Sequence, residues 1–231
     1  MPARPLVSER TVLDAAEAGR QRLAVPEGAL VTALARDTAR ERGVELVSGP
    51  ADRPLPPGAP PVGAAASAAR QAEAPPRTLA LGCDHAGFEI KGALADHARA
   101  LGWAVTDVGT DSAEGVDYPD FAYAVARLVH LGRVRLGLMV DGVGVGSAIV
   151  ANKLPGVRAG LCPDTFSAYN ARAHNDANVL TLGSRTMGVE VCKRVLAAFL
   201  ETEFEGGRHA RRVEKIGDVE ARFLPGAPGA V

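Results

Sequence analysis

From Thr78 onward the chain alternates short apolar runs with amphipathic stretches, and this alternation limits the fold more than any other feature of its 231 residues. TLALGC (78–83), WAVTDVG (103–109), RLGLMV (135–140), VRAGLC (157–162) and ANVLTLGS (177–184) read as strands. Between and after them, FEIKGALADHARALG, YPDFAYAVARLVHLG, GSAIVANKL, TFSAYNARAHN and VEVCKRVLAAFLETEF read as helices. Parallel strands need crossovers of this length, and the crossovers are right-handed, so the expected architecture is a Rossmann-like, doubly wound α/β domain with a mainly parallel sheet over residues 78–216.

Upstream, the composition changes. The stretch from Gly49 to Arg77 contains half of the chain's 16 prolines and offers no sustained apolar face, so residues 48–77 are expected to form a Pro/Ala-rich linker. It would separate the main domain from a short helical extension, residues 1–47. There Ser8 is positioned to cap a helix ending near Gly19, and Thr32 to cap a second helix, ALARDTARER, that stops at Gly43. Two short helices bury too little apolar surface to stand alone, so the extension is expected to dock on something. Residues 217–231 are read as a C-terminal tail.

A net charge of −1 gives no global electrostatic case for nucleic acid or a membrane surface as partner. No apolar run approaches a membrane span and the N-terminus lacks a signal-peptide pattern, so a cytoplasmic protein is expected. Cys83, Cys162 and Cys192 are widely spaced and suggest neither a disulfide framework nor a zinc site.

In sheets of this type ligands collect at the carboxyl ends of the strands. That rule selects Asp84 and His85, the loop following Val140, and Gly183 to Arg185. The loop Gly142-Val143-Gly144-Val145-Gly146 places its third glycine one position early for a dinucleotide fingerprint, and nicotinamide binding is not expected. Successive N–H groups before a helix make a nest for a small ligand's oxygens instead. Towards the C-terminus, Arg208, His209, Arg211 and Arg212 form a local basic cluster, with Arg208 and Arg212 spaced for one helix face and suited to a phosphate.

Taken together, GCDHAGFEIK, DVGT, VDYPDFA, GVGVGSAIVANKLPGVRAGL, ARAHNDANVLTLGSRTMG and ETEFEGGRHARRVEKI closely resemble the ribose-5-phosphate isomerase B and galactose-6-phosphate isomerase family. The resemblance implies aldose–ketose isomerisation of a phosphorylated sugar, such as ribose 5-phosphate to ribulose 5-phosphate, without metal or organic cofactor. It also implies a homodimer, or a higher oligomer, with active sites at the subunit interface. By the same resemblance Asp84, His85, Tyr118 and Asn175 contact the sugar, and residues 142–146 cradle the enediolate. His174 opens the ring, and His85, Arg185, Arg208 and Arg212 hold the phosphate, with His209 beside them. The run EGALVTALARDTARERGVELV resembles N-terminal segments of proteins associated with bacterial microcompartments, which implies a shell or cargo partner for residues 1–47.

The chain departs from the family at Asp141. Most similar sequences carry Cys-Gly-Thr-Gly where this one has Asp141-Gly142-Val143-Gly144, and that cysteine is the proton-transferring base. A second subgroup has a serine there and a glutamate base four residues later, where this chain has Val145. Asp141 is expected to be the base in place of cysteine; the alternative is a catalytically impaired protein that binds sugar phosphate or serves assembly.

Overall fold

The computed structural model describes residues 6–26, 29–47 and 74–223, so most of the expected linker, and the end of the expected tail, lie outside the described residues. The N-terminal stretch contains β1 (Leu6–Val7), α1 (Glu9–Glu17), β2 (Arg22–Ala24), β3 (Leu30–Val31), α2 (Ala33–Arg42) and β4 (Glu45–Val47). Both capping signals operate. The Ser8 hydroxyl accepts from Thr11 N while the Thr11 hydroxyl accepts from Ser8 N, and Thr32 Oγ1 accepts from Ala35 N at 3.0 Å. Gly43 ends α2 at φ +64°, a left-handed conformation that glycine adopts without strain.

The strands revise the expectation of a helical extension. β1 pairs with β3 and β2 with β4, all parallel, and Leu6 lies opposite Leu30. Ser8 and Thr32, each two residues further on, both cap helices. The stretch is therefore two matching β-α-β halves laid side by side, an α/β unit with its own small apolar cluster of Val7, Val12, Leu23, Ala35 and Val44.

The main sheet follows with β5 (Thr78–Cys83), α3 (Phe88–Ala100), β6 (Ala104–Asp107), α4 (Tyr118–His130), β7 (Leu136–Asp141), α5 (Val145–Ala151), β8 (Ala159–Leu161), α6 (Thr165–Asn175), β9 (Val179–Gly183) and α7 (Val189–Glu201). Its order is β6-β5-β7-β9-β8, parallel throughout. Along β5 the side chains of Leu79, Leu81 and Cys83 enter the core packed by α3 and α7, while Ala80 enters the opposite core packed by α4 and α5. The central strands β5, β7 and β9 are covered on both faces and carry apolar residues at nearly every position, which is why they read as unbroken runs, whereas the edge strand β6 is largely exposed.

The N-terminal unit docks on the outer side of α4. Leu34 joins Val125 and Val129 in one cluster, and Leu6 and Leu30 pack against Phe121, Ala122 and Met139. Beneath that contact Glu9, 2% exposed, is ion-paired with Arg127 and accepts from Thr38 Oγ1 at 2.9 Å. Burial pushes the Glu9 carboxyl up to about 7, against the opposing pull of Arg127 and Thr38. Arg133 adds a bond to Glu41 at 3.0 Å.

At the other end a 3-10 turn, Gly207–His209, leads into α8 (Ala210–Phe223), so the last helix runs past the boundary expected at 216. Arg208 lies in the turn and Arg212 in the helix, and they do not share one regular helical face. Among the described residues no helix is long and apolar enough to cross a membrane.

Candidate active site

The sheet's switch point lies between β5 and β7, because the next strand after β5 pairs on its other edge. Cys83 is in register with Val140, so Asp84 and Asp141 leave the sheet side by side, each 5% exposed. Their carboxylates are held differently. Asp84 Oδ1 accepts from Ala86 N at 2.9 Å and Gly87 N at 3.2 Å, whereas its Oδ2 makes no hydrogen bond among the described residues. The ring nitrogen facing that oxygen, His85 Nδ1 at 4.0 Å, itself accepts from Val116 N at 3.3 Å. Burial pushes the Asp84 carboxyl up, the Asp141 charge adds to this, and the two amides and His85 oppose it.

Asp141 is saturated. Its Oδ1 accepts from Val143 N at 2.7 Å and from Gly144 N, and its Oδ2 accepts from Ser147 N at 3.3 Å and from the Ser147 hydroxyl. Gly144, at φ +85°, turns the loop so that these donors converge, and Ser147 is fully buried. The amides of Val143 and Gly144, expected to face a sugar's oxygens, thus serve the chain's own carboxylate. A Cβ at Gly146 would fall 2.5 Å from Tyr118 Cζ, so the Tyr118 ring lies directly on the loop. Arg185 N donates to Gly142 O at 3.0 Å, and the Arg185 side chain passes beside Gly142. Asp84, His85, Tyr118, residues 142–146 and Arg185 therefore form one cluster.

His174, Arg208, His209 and Arg212 form another, with Asn175 next to His174 in the chain. The His174 and His209 rings stack at 4.0 Å between centroids and 6° between planes. Asn170 Nδ2 donates to His174 Nδ1 at 2.8 Å, and Arg208 Nε donates to His209 Nε2 at 3.2 Å. Glu205, overlooked in the sequence, faces both rings at 3.7 and 3.9 Å and accepts from the Tyr169 hydroxyl at 2.7 Å. The spacing of Asn170 and His174, four residues apart on α6, is a helical signal, whereas Glu205 precedes the 3-10 turn and its spacing to His209 carries none. Desolvation, with His174, Arg208 and Arg212 nearby, holds the His209 imidazole below its ordinary range. The bond from Tyr169 holds the Glu205 carboxyl low and, in return, pushes the Tyr169 phenol up.

His174, Glu205 and His209 bring three potential metal ligands within 4.8 Å of one another. However, stacked parallel rings direct their lone pairs side by side rather than to one point, and Arg208 already occupies the lone pair of His209 Nε2.

Within one chain the two clusters do not meet. Helix α6 runs against the strands, so His174 and Asn175 lie before the start of β9 while Arg185 follows its end. A strand of that length places them roughly 16 Å apart along the sheet. The switch-point carboxylates with the glycine loop, and the separate His/Arg cluster, are the two candidate halves of a site on a parallel α/β sheet.

A family model described as Ribose/Galactose Isomerase matches residues 79–216, and the chain belongs to this family of isomerases. Ribose-5-phosphate isomerase B of Escherichia coli is 45% identical over 146 residues, 63% of this chain and 98% of that protein. D-erythrulose-4-phosphate isomerase of Pectobacterium atrosepticum is 42% identical over 144 residues, 62% of this chain and 95% of that one. Among solved structures, ribose-5-phosphate isomerase B of Clostridium thermocellum superposes with a TM-score of 0.62 at 42% identity, covering 63% of this chain and 99% of that one.

Proposed function

We propose that the protein interconverts an aldose phosphate and its ketose, ribose 5-phosphate and ribulose 5-phosphate first among them, in a homodimer that joins one cluster from each subunit. The observation that carries this reading is the division of the site: the switch-point cluster and the His/Arg cluster occupy opposite rims of one sheet. Val145 and Ile149, on the helix after the glycine loop, and Phe166, at the start of α6, are exposed and offer apolar surface for a second copy to bury. In this dimer His174 Nε2, its other nitrogen held by Asn170, passes a proton to or from the ring oxygen. Arg185, Arg208, Arg212 and His85 anchor the phosphate, so that binding at a remote group positions the reacting carbons. Tyr118 and Asn175 border the sugar. Asp141, its lone pairs occupied by loop donors, organises the loop instead of acting as the base.

The test is complementation. Arg185→Ala and His174→Ala should each lose most isomerisation of ribose 5-phosphate. Random mixing of the two then regenerates about a quarter of the intact sites, because half the dimers are mixed and one site in each is whole. No recovery on mixing would refute the shared site. A wild-type protein that binds phosphorylated sugars but turns none over would support the impaired-binder reading instead.

For residues 1–47 we propose an assembly role in a microcompartment, through the surface that remains after docking on α4. Their removal should abolish co-sedimentation with a shell or cargo partner, and unchanged co-sedimentation would count against it.

A further inference from the structure

We propose that Asp84, rather than Asp141, carries the proton between C2 and C1, with Oδ2 as the atom that meets the substrate. This rests on the isomerase reading and deepens it. A base needs a lone pair that faces the substrate and is not already engaged. Asp141 fails that requirement, since its two oxygens receive the donors of Val143, Gly144 and Ser147. Asp84 meets it. The amides of Ala86 and Gly87 fix Oδ1 and therefore the plane of the carboxylate, and Oδ2 is left without a hydrogen bond among the described residues. Asp84 stands at the end of the adjacent strand, beside the loop that the missing cysteine would have occupied. Burial and the neighbouring Asp141 charge both favour a proton on Asp84, which makes it a better acceptor than an exposed carboxylate.

The step balances without a cofactor. Asp84 Oδ2 takes the proton from C2 of the open-chain aldose. The C–H electron pair becomes the C1–C2 double bond, and the carbonyl π pair moves to O1. The O2 proton passes to O1, the carbonyl re-forms at C2, and the Asp84 carboxyl returns its proton to C1. The ketose leaves and the carboxylate is regenerated.

The test uses the full-length protein with ribose 5-phosphate and erythrose 4-phosphate. The tetrose cannot close a furanose ring because its O4 is esterified, so it reports proton transfer without ring opening. Asp84→Asn keeps an oxygen for the Ala86 and Gly87 amides. It should lower kcat by about 10²- to 10⁴-fold on both sugars, with exchange of the C2 hydrogen for solvent deuterium falling in parallel and KM changed little. Asp84→Ala should regain turnover in added formate, a response that a purely structural residue would not give. This rescue also decides the matter if Asp84→Asn folds poorly. The proposal is overturned if Asp84→Asn keeps kcat within tenfold of wild type on the tetrose. It is equally overturned if folded, sugar-binding Asp141→Asn loses all exchange while Asp84→Asn retains it. A wild-type protein inactive on every phosphorylated sugar removes the isomerase reading itself, and this proposal with it.

Discussion

Replacing Ser147 with alanine removes one donor from Asp141 and nothing else. The Ser147 side chain is fully buried and its hydroxyl donates to Asp141 Oδ2, while the backbone N–H of the same residue remains at 3.3 Å. A hydrogen bond to a charged acceptor contributes about 1.5–3 kcal/mol, and in a domain of this size that lowers the melting temperature by roughly 3–12 °C. The catalytic effect separates the two roles of Asp141. If Asp141 anchors the loop, Ser147→Ala loosens it and kcat is unchanged or lower. If Asp141 is the base, a freed lone pair becomes available to the substrate and kcat increases. Thermal unfolding followed by circular dichroism, together with a coupled isomerase assay, reads both. A melting temperature within 1 °C of wild type would show that the hydroxyl contributes nothing, and a higher kcat would refute the anchoring role.

Two further outcomes are expected. His174→Ala should slow turnover of ribose 5-phosphate far more than that of erythrose 4-phosphate, since only the pentose must be opened; equal losses on both would place His174 outside ring opening. The Glu9 carboxyl, raised from 4.5 to about 7 by burial, is bound to its proton more strongly in the folded chain than in the unfolded one. Its contribution to stability is therefore complete below pH 4.5 and is lost as pH rises through about 7. Glu9→Gln, which mimics the protonated form, should flatten the fall in melting temperature between about pH 5 and 8, and an unaltered slope would contradict this.

The main domain is legible because β5, β7 and β9 are covered on both faces and read as unbroken apolar runs, while the stretches between them carry the helical period. Ser8, Thr32 and Gly43 mark the ends of the N-terminal helices through capping chemistry, which is local to the chain. Strands β1 to β4, of two or three residues, are too short to show an alternation. Asp141 was recognisable as the unusual residue, but its partners depend on how Gly144 turns the loop, which spacing does not encode. His174 and Asp141 were both identified from motifs. Their placement on opposite rims follows from the direction of α6 and appears only once the sheet order is known.

Each ladder of the N-terminal unit takes one strand from each β-α-β half, with two residue pairs between β1 and β3 and three between β2 and β4. Opening either half therefore strips the bonded partners from the other. Amide deuterium uptake across residues 6–47 should follow as a single kinetic block, and it should outpace uptake in β7, which is flanked on both sides by longer ladders.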